Sequence, residues 1–393
     1  MTPAYGIGIE NLQILRSGAG GDEPNVNLAT LAESWVSNIA SVQTSGTENY
    51  AHVMLTNDYA CEVRDSWFQG GGVNGSGLDY GVYIVNNASE NLVENNVFVG
   101  MRHSMIIAAG ASGNVYGYNY TSGPWESNYP NDQTGDQDSH GGETYMNLWE
   151  GNIAENFWMD NTWGGNAFNT GFRDWCIAYS TAGQNDQDWN AIALEANTYS
   201  ANVVGMVLGR PGAANIDYSL DSGARSTAFI QGNYSFQTGK TLWISGPVTL
   251  PASLYYSSKP AWWGTLAWPA IGPDVSPVNG VIPAQQRFLV PVKQLLPQSR
   301  NATGGIPSAP FLKSTIIPKS GATVLTFGVP VAGDVALEIY SLSGRTVATI
   351  SKPGLAPGIY EEHLGAAVLP AGVYCCKLRV GTAVLSHVMQ VAR

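Results

Sequence analysis

A phrase that returns every 20 to 35 residues across the first 240 positions restricts this chain to one kind of architecture: a short apolar strand, an Asn-rich corner, then another strand. The clearest copies are Gly81-Val-Tyr-Ile-Val-Asn-Asn with Asn95-Asn96-Val-Phe-Val-Gly, Ser104-Met-Ile-Ile with Asn114-Val-Tyr-Gly-Tyr-Asn119-Tyr, and Tyr145-Met-Asn-Leu-Trp-Glu-Gly-Asn152-Ile-Ala-Glu-Asn-Phe. Fainter ones lie at Ile7-Gly-Ile-Glu-Asn11-Leu, around His52 to Phe68, and at Ala191-Ile-Ala-Leu-Glu with Asn202-Val-Val. Each unit is too short to bury a core alone. Its runs of Val, Ile, Phe and Tyr sit between Gly corners and show no 3.6-residue period. Stacked units of this kind share one core as the coils of a solenoid. Asn suits the repeated corner, because it tolerates the left-handed backbone and its amide can bond to the Asn one coil above.

The spacing also marks an interruption. Asn96 to Asn119 is 23 residues, enough for three short strands and three turns, whereas Asn119 to Asn152 is 33. The excess predicts an insertion from about Gly123 to Glu143. In repeat folds, insertions become loops on one face, often the binding face.

Charge narrows the partners. Residues 1 to 239 hold six arginines, no lysine and 25 acids, a net −19, while residues 240 to 393 carry +7. An acidic solenoid repels polyanions, which excludes nucleic acid as a partner. A polyuronate would need bridging cations, and a neutral glycan none. With 12% charged residues, 46 Gly, and 31 Trp plus Tyr, the composition is that of a turn-rich extracellular β protein with aromatic surface to offer. There is no 18-residue apolar run to span a membrane. Cys61, Cys176, Cys375 and Cys376 lack metal-type spacing and read as small buried hydrophobes. No leader pattern opens the chain, and Met1-Thr-Pro-Ala-Tyr-Gly-Ile-Gly-Ile-Glu already reads as a solenoid strand. Earlier coils and a leader are therefore expected before it. An uncapped first coil could also pair head to tail with another copy.

Composition changes after residue 240. Residues 241–296 are rich in Pro and Trp, which argues against helix and central strand alike, and predicts an irregular tail packed on the last coils. Residues 297–314 read as a linker. Alternating strands with turn signals then fill 315–393, a small β-sandwich. Within it, Ile339-Tyr-Ser-Leu-Ser-Gly-Arg-Thr-Val, Leu369-Pro-Ala-Gly-Val-Tyr and a final strand near the terminus resemble the C-terminal sorting domain of type IX secretion. That resemblance implies the type IX machinery as a partner and a secreted or surface location in a bacterium. The alternative is an immunoglobulin-like stability module without an export role. Residues 1–240 look like the right-handed parallel β-helix of the pectate-lyase-like superfamily. The superfamily spans lyases, hydrolases, esterases and tailspikes, so the resemblance implies a polysaccharide partner without naming a reaction.

Three constellations flank the insertion. Arg102-His103 and Arg173 are candidate bases or substrate clamps, in keeping with lyases of this fold, which often use Arg; the competing role is an ion pair at a coil edge. Among the carboxylates, Glu150, Asp160 and Asp174 lie near Trp149, Trp158, Trp163 and Trp175, with Trp125 in the insertion, so they are candidate acid/base groups beside sugar-stacking surfaces. Coils about 4.8 Å apart can bring two acids to the separations of about 5 to 9.5 Å that glycoside hydrolysis requires. The third, Asp132, Asp136, Asp138 and Glu143, alternates oxygen donors with Gly and suggests Ca2+, with His140 as a softer ligand. The reading is an all-β secreted polysaccharide lyase or glycoside hydrolase, or else a non-catalytic structural or adhesive β-helix.

Overall fold

The computed structural model describes the chain apart from residues 1, 18–20, 22, 44–48, 72–74, 76, 128–134, 181–186, 290–309, 318–321, 342–345, 356, 365–371, 382 and 392–393. It divides into two units, Met1–Phe288 and Leu289–Arg393. In the first, three parallel sheets of ten, nine and eight strands form the faces of a β-helix. Each strand pairs with its counterpart one coil away. In the nine-stranded sheet, for example, Leu92 lies beside Val115, which lies beside Leu148 and then Thr170. The ten-stranded sheet closes with Lys240–Leu242, antiparallel to Asn233–Ser235.

Two corners of every coil are made the same way. A residue in the left-handed region (Asn95, Tyr118 and Arg173 between the nine- and ten-stranded sheets; Glu90, Met146 and Phe168 before the nine-stranded sheet) turns the chain. In the central coils the next residue is an Asn whose amide points inward, whereas Ser34, Ser66 and Asp174 take that place in other coils. The Oδ1 of Asn119 accepts from the backbone N–H and the Nδ2 of Asn96, at 2.9 and 3.1 Å. Its own Nδ2 donates to Asn152 Oδ1 at 3.0 Å and to the Val93 carbonyl at 2.9 Å. All four bonding positions of a fully buried amide are thereby filled, which offsets its desolvation. A second ladder runs from Asn91 through Asn114 and Asn147 to Asn169. Between the ladders the interior is apolar, with Phe68 stacked on Phe98 and Tyr116 on Trp149.

The interruption is shorter than its spacing implied. Residues 128–134 lie outside the described residues, and Gln137–Ser139 form a strand in register with His103–Ile107 and Phe157–Met159. Gln137 and Ser139 sit opposite core residues, Met105 and Ile107, which places Asp138 on the outer face.

The Pro/Trp-rich tail packs on the outer face of the ten-stranded sheet, where Trp263, Ile271 and Ile282 bury Val97, Tyr118, Ile153 and Val207. Polar clasps hold it there. Tyr256 hydroxyl donates to Glu94, Tyr118 and Ser253 hydroxyls donate to Glu150, and Leu254 N–H donates to Glu150 Oε2 at 2.7 Å. The second unit is a sandwich of three and four antiparallel strands around Leu325, Phe327, Leu337, Ile339 and Leu378. Its first strand is Phe311–Ile317, paired throughout with Ala322–Val329, so the strand begins inside the stretch expected to be linker. Cys376 is in this core and Cys375 is not, as opposite pleats require.

Asn119→Ala removes four satisfied bonds at once and should lower the unfolding free energy of the first unit by about 3 kcal/mol or more in urea titration. A loss under about 1 kcal/mol would mean the ladder is replaceable by water. Burial pushes the Glu94 carboxyl up to about 7, against the Tyr256 hydrogen bond and the Arg64 charge. Its raised value means the folded state holds a proton that the unfolded chain sheds above its ordinary 4.5. Glu94 therefore makes stability fall between pH 4.5 and about 7. Glu94→Gln should flatten that slope in thermal melts, and an unchanged slope would assign it to other groups.

Candidate functional site

The outer face of the eight-stranded sheet is apolar through Tyr83 and Ile106, and turns polar at the next strand. Asp138 stands there between Ile106 and Trp158 in register, buried despite facing out of the coil. The end of the inserted segment covers it, since a Cβ on Gly135 would lie 2.9 Å from its carboxyl carbon. Asp138 Oδ2 is 3.3 Å from His103 Nδ1 and 3.6 Å from His140 Nδ1, and Oδ1 has no hydrogen-bond partner among the described residues. Burial pushes the Asp138 carboxyl well above the usual range; Asp160 and Glu195 add to this and Arg102 opposes it. Burial, with the nearby Arg102 and His140, holds His103 well below the usual imidazole value. Both shifts favour a neutral pair, whose hydrogen bonds are set by the His103 Nδ1–H donating to the Gly135 carbonyl at 2.6 Å.

His140 follows the strand and meets Asp160, which follows the neighbouring strand, through Nδ1 and Oδ2. On the other side of the ring, Trp163 Nε1–H donates to His140 Nε2 at 2.8 Å. An indole nitrogen can only donate, so Nε2 carries the lone pair and the imidazole proton is on Nδ1, directed at Asp160. The other oxygen of Asp160 accepts from Thr162 N–H at 2.9 Å, which fixes the carboxylate. The result is an imidazole oriented by a carboxylate, with its basic nitrogen outward under an indole that is 71% exposed. The turns carrying these side chains pass so closely that a Cβ on Gly141, at φ 63°, would sit 2.7 Å from the Gly164 carbonyl oxygen.

A groove of about 410 Å3 opens along the corner that precedes the nine-stranded sheet, its lining beginning at Glu143. Tyr145, Ala167 and Tyr199 stack in register along it, so two tyrosine rings stand two coils, roughly 10 Å, apart with a notch between them. Met146 and Phe168, exposed by 63% and 54%, hold the left-handed positions of their coils at φ 56° and 57°. Bulky residues are unfavourable there by about 1 to 2 kcal/mol, and the same position is Gly113 and Ser200 in other coils. The groove also contains Asn166 and Asn197, with Glu143 at one end. Asn166 Nδ2 donates to the Asp160 carbonyl at 3.2 Å, which joins groove and histidine.

Of the residues singled out in the sequence, the fold gathers Arg102, His103, Asp138 and Asp160, with Trp158 and Trp163 beside them. Arg102 donates to the Tyr80 hydroxyl at 3.2 Å and lies 3.8 Å from Glu126; Trp158 Nε1 donates to Glu195 at 3.1 Å. The others lie apart. Arg173, expected to be a base or clamp, is buried and forked onto Asp274 at 2.7 and 2.8 Å, with tail carbonyls of Leu250, Pro251 and Ile271 filling its remaining donors. Glu150 is used by the tail clasp. Asp174 is a buried ladder rung that accepts from Asn152. Trp149 is core because its position in the nine-stranded sheet points inward beside Tyr116 and Gly171. Trp175 binds the Gly209 carbonyl in the tail-covered cluster, and Trp125 is half-buried with its N–H on the Met101 carbonyl. The expected Ca2+ group does not converge either. Asp136 is buried on Thr121 and the Glu155 N–H, apart from the partners of Asp138; Glu143 is at the groove, and Asp132 lies outside the described residues. His140 as base and the Tyr145, Phe168 and Tyr199 row went unread as site residues. Their one signal was a large apolar residue, Met146 or Phe168, at the corner position that in other coils holds Glu90, Gly113 or Ser200.

No family model matches the chain, and no curated protein matches it. Among solved structures it is similar to the tailspike protein gp49 of Acinetobacter baumannii bacteriophage Fri1, a capsular polysaccharide depolymerase, at 10% identity and a TM-score of 0.29. The match covers 95% of this chain and 64% of that one, so the chain spans less than two thirds of that protein's length. At such distance the chemistry has to be read from the residues themselves.

Phe168→Asn places a residue tolerant of the left-handed region at the groove. It should be neutral or stabilising by up to about 1 kcal/mol in denaturant titration. A loss above about 2 kcal/mol would show that Phe168 is kept for packing instead.

Proposed function

We propose that the first unit is a polysaccharide-active enzyme that holds a glycan along the corner groove and uses His140, oriented by Asp160, as general base. One arrangement carries the reading: an outward imidazole nitrogen, its tautomer set by Asp160 and Trp163, stands three residues before a groove whose bulky apolar residues are kept exposed at left-handed positions. Exposed tyrosines at a regular axial spacing suit the faces of successive sugar rings, and Asn166 and Asn197 offer amides to their hydroxyls. When a sugar or water displaces Trp163 from His140 Nε2, that nitrogen accepts the proton of the attacking water or the carbon acid. Asp160 then stabilises the imidazolium through Nδ1–H. Asp138 is too buried to touch a glycan and acts by presenting a neutral carboxyl to the two imidazoles. With Asp160, Glu195 and Glu143 near and no lysine in residues 1–239, a neutral glycan is favoured over a polyanion.

The test is a panel of neutral and uronate glycans read both by unsaturated-product absorbance, for elimination, and by reducing ends, for hydrolysis. His140→Ala should lower kcat about 10²- to 10⁴-fold. Tyr199→Ala should raise KM with kcat kept. No product from any glycan would overturn the catalytic reading, and unaltered turnover in His140→Ala would overturn the base.

For the second unit we propose export through the type IX machinery to a secreted or surface location. The seven-strand antiparallel sandwich and the Ile339-Tyr-Ser motif in its third strand support it; parts of the two motifs, at 342–345 and 369–371, lie outside the described residues. Deleting 315–393 should retain the protein inside a type IX-competent cell, and unimpaired export would refute the assignment.

A further inference from the structure

The same cluster has the donors of a metal site. One ligand atom each from Asp138, His140 and Asp160 lie within 4.8 Å of one another, Asp138 on one strand and His140 and Asp160 just past the ends of it and of its paired neighbour. Ligands about 2.0 to 2.2 Å from a shared ion stand no more than roughly 4.4 Å apart, so side-chain rotations alone would close the site. An independent feature points the same way. Asp138 is 1% exposed, yet its Oδ1 has no hydrogen-bond partner among the described residues, which leaves a buried acceptor lone pair at the cluster unused. One imidazole nitrogen and two carboxylates form a mixed nitrogen and oxygen donor set, which suits borderline first-row ions better than Ca2+, an ion that prefers six to eight oxygens.

We propose that Asp138, His140 and Asp160 bind one divalent first-row transition ion, Mn2+ or Zn2+, and that Trp163 reports its occupancy. The link to Trp163 follows from the tautomer. An ion on Nδ1 displaces the proton now directed at Asp160, and a neutral ring must then carry its hydrogen on Nε2. That nitrogen can no longer accept from Trp163 Nε1, so the indole is released, and its 71% exposure leaves it free to turn away. The inference concerns the same residues as the catalytic reading but needs no glycan. Since an ion on Nδ1 would leave the ring hydrogen on Nε2 and occupy the carboxylate that orients His140, occupancy should also suppress base catalysis.

The experiment uses the full chain stripped with chelator and titrated with MnCl2, ZnCl2 and CaCl2, followed by calorimetry and tryptophan emission. One ion of Mn2+ or Zn2+ per chain is expected, at least tenfold tighter than Ca2+, with an emission change that is absent in Trp163→Phe. Asp160→Asn and His140→Gln should each weaken binding at least tenfold while circular dichroism stays unchanged; Asp138→Asn should do the same where it folds. Binding that is absent, that survives both surface-side substitutions, or that favours Ca2+ would overturn the proposal. Glycan affinity measured in chelator stands apart from these outcomes, so the metal site and the glycan site can fail separately.

Discussion

Buried amides that satisfy one another are the interaction on which this molecule depends. A coil of roughly two dozen residues must turn its backbone several times, and each turn aims a polar group inward. Were those groups unpaired, the cost of burying several of them per coil would exceed what a few apolar side chains can return. Asn solves the problem at both corners, because its two acceptor and two donor positions match the spacing of the coils above and below. The ladders therefore set the register of all three sheets, and register decides which side chains face out. Asp138, Ile106 and Trp158 share an outer row only because Asn119 and Asn152 hold adjacent coils in step.

Where the ladder pattern ends, its substitute is informative. Asp174 stands where Asn would continue the run, and accepts from Asn152 like an amide oxygen. Having no donors when ionised, it cannot repeat the pattern, and burial pushes its carboxyl well above the ordinary range. The carboxylate that looked catalytic by its neighbours in sequence is thus a structural terminus. Arg173 beside it makes the same point. Its left-handed backbone turns the corner, and its guanidinium clamps a tail 78 to 101 residues further along the chain.

The solenoid was legible because periodicity is a property of local sequence, and so was the sandwich, whose strands alternate inward and outward. The place of interruption was legible from one spacing, 33 residues against 23. The site was legible only in part. Arg102, His103 and Asp160 were recognisable as chemistry-bearing residues near the break, but which carboxylates share a face depends on whether each strand's neighbour points in or out. Asp136 and Asp138, two residues apart, went to separate environments because Asp136 precedes the strand and binds Thr121 and the Glu155 N–H, while Asp138 stands on the strand's outer face. That the tail packs on the coils was expected from its Pro and Trp content, but which residues it covers was not legible, since nothing near Glu150 in sequence announces Ser253 and Leu254. His140 was read only as a ligand for a softer metal, because a lone histidine carries little information until Asp160 and Trp163 are seen on its two nitrogens.

The groove and the histidine are joined by a short stretch of backbone between Asp160 and Asn166, so a glycan in one should be felt in the other. Hydrogen–deuterium exchange on the whole chain, with and without a saturating oligosaccharide from the active panel, measures this directly. The account predicts slowed exchange confined to residues 140–146, 160–168 and 197–199, with the tail-covered face unchanged. Protection that centres on the tail near Arg173 and Glu150, or that omits the corner groove, would contradict it.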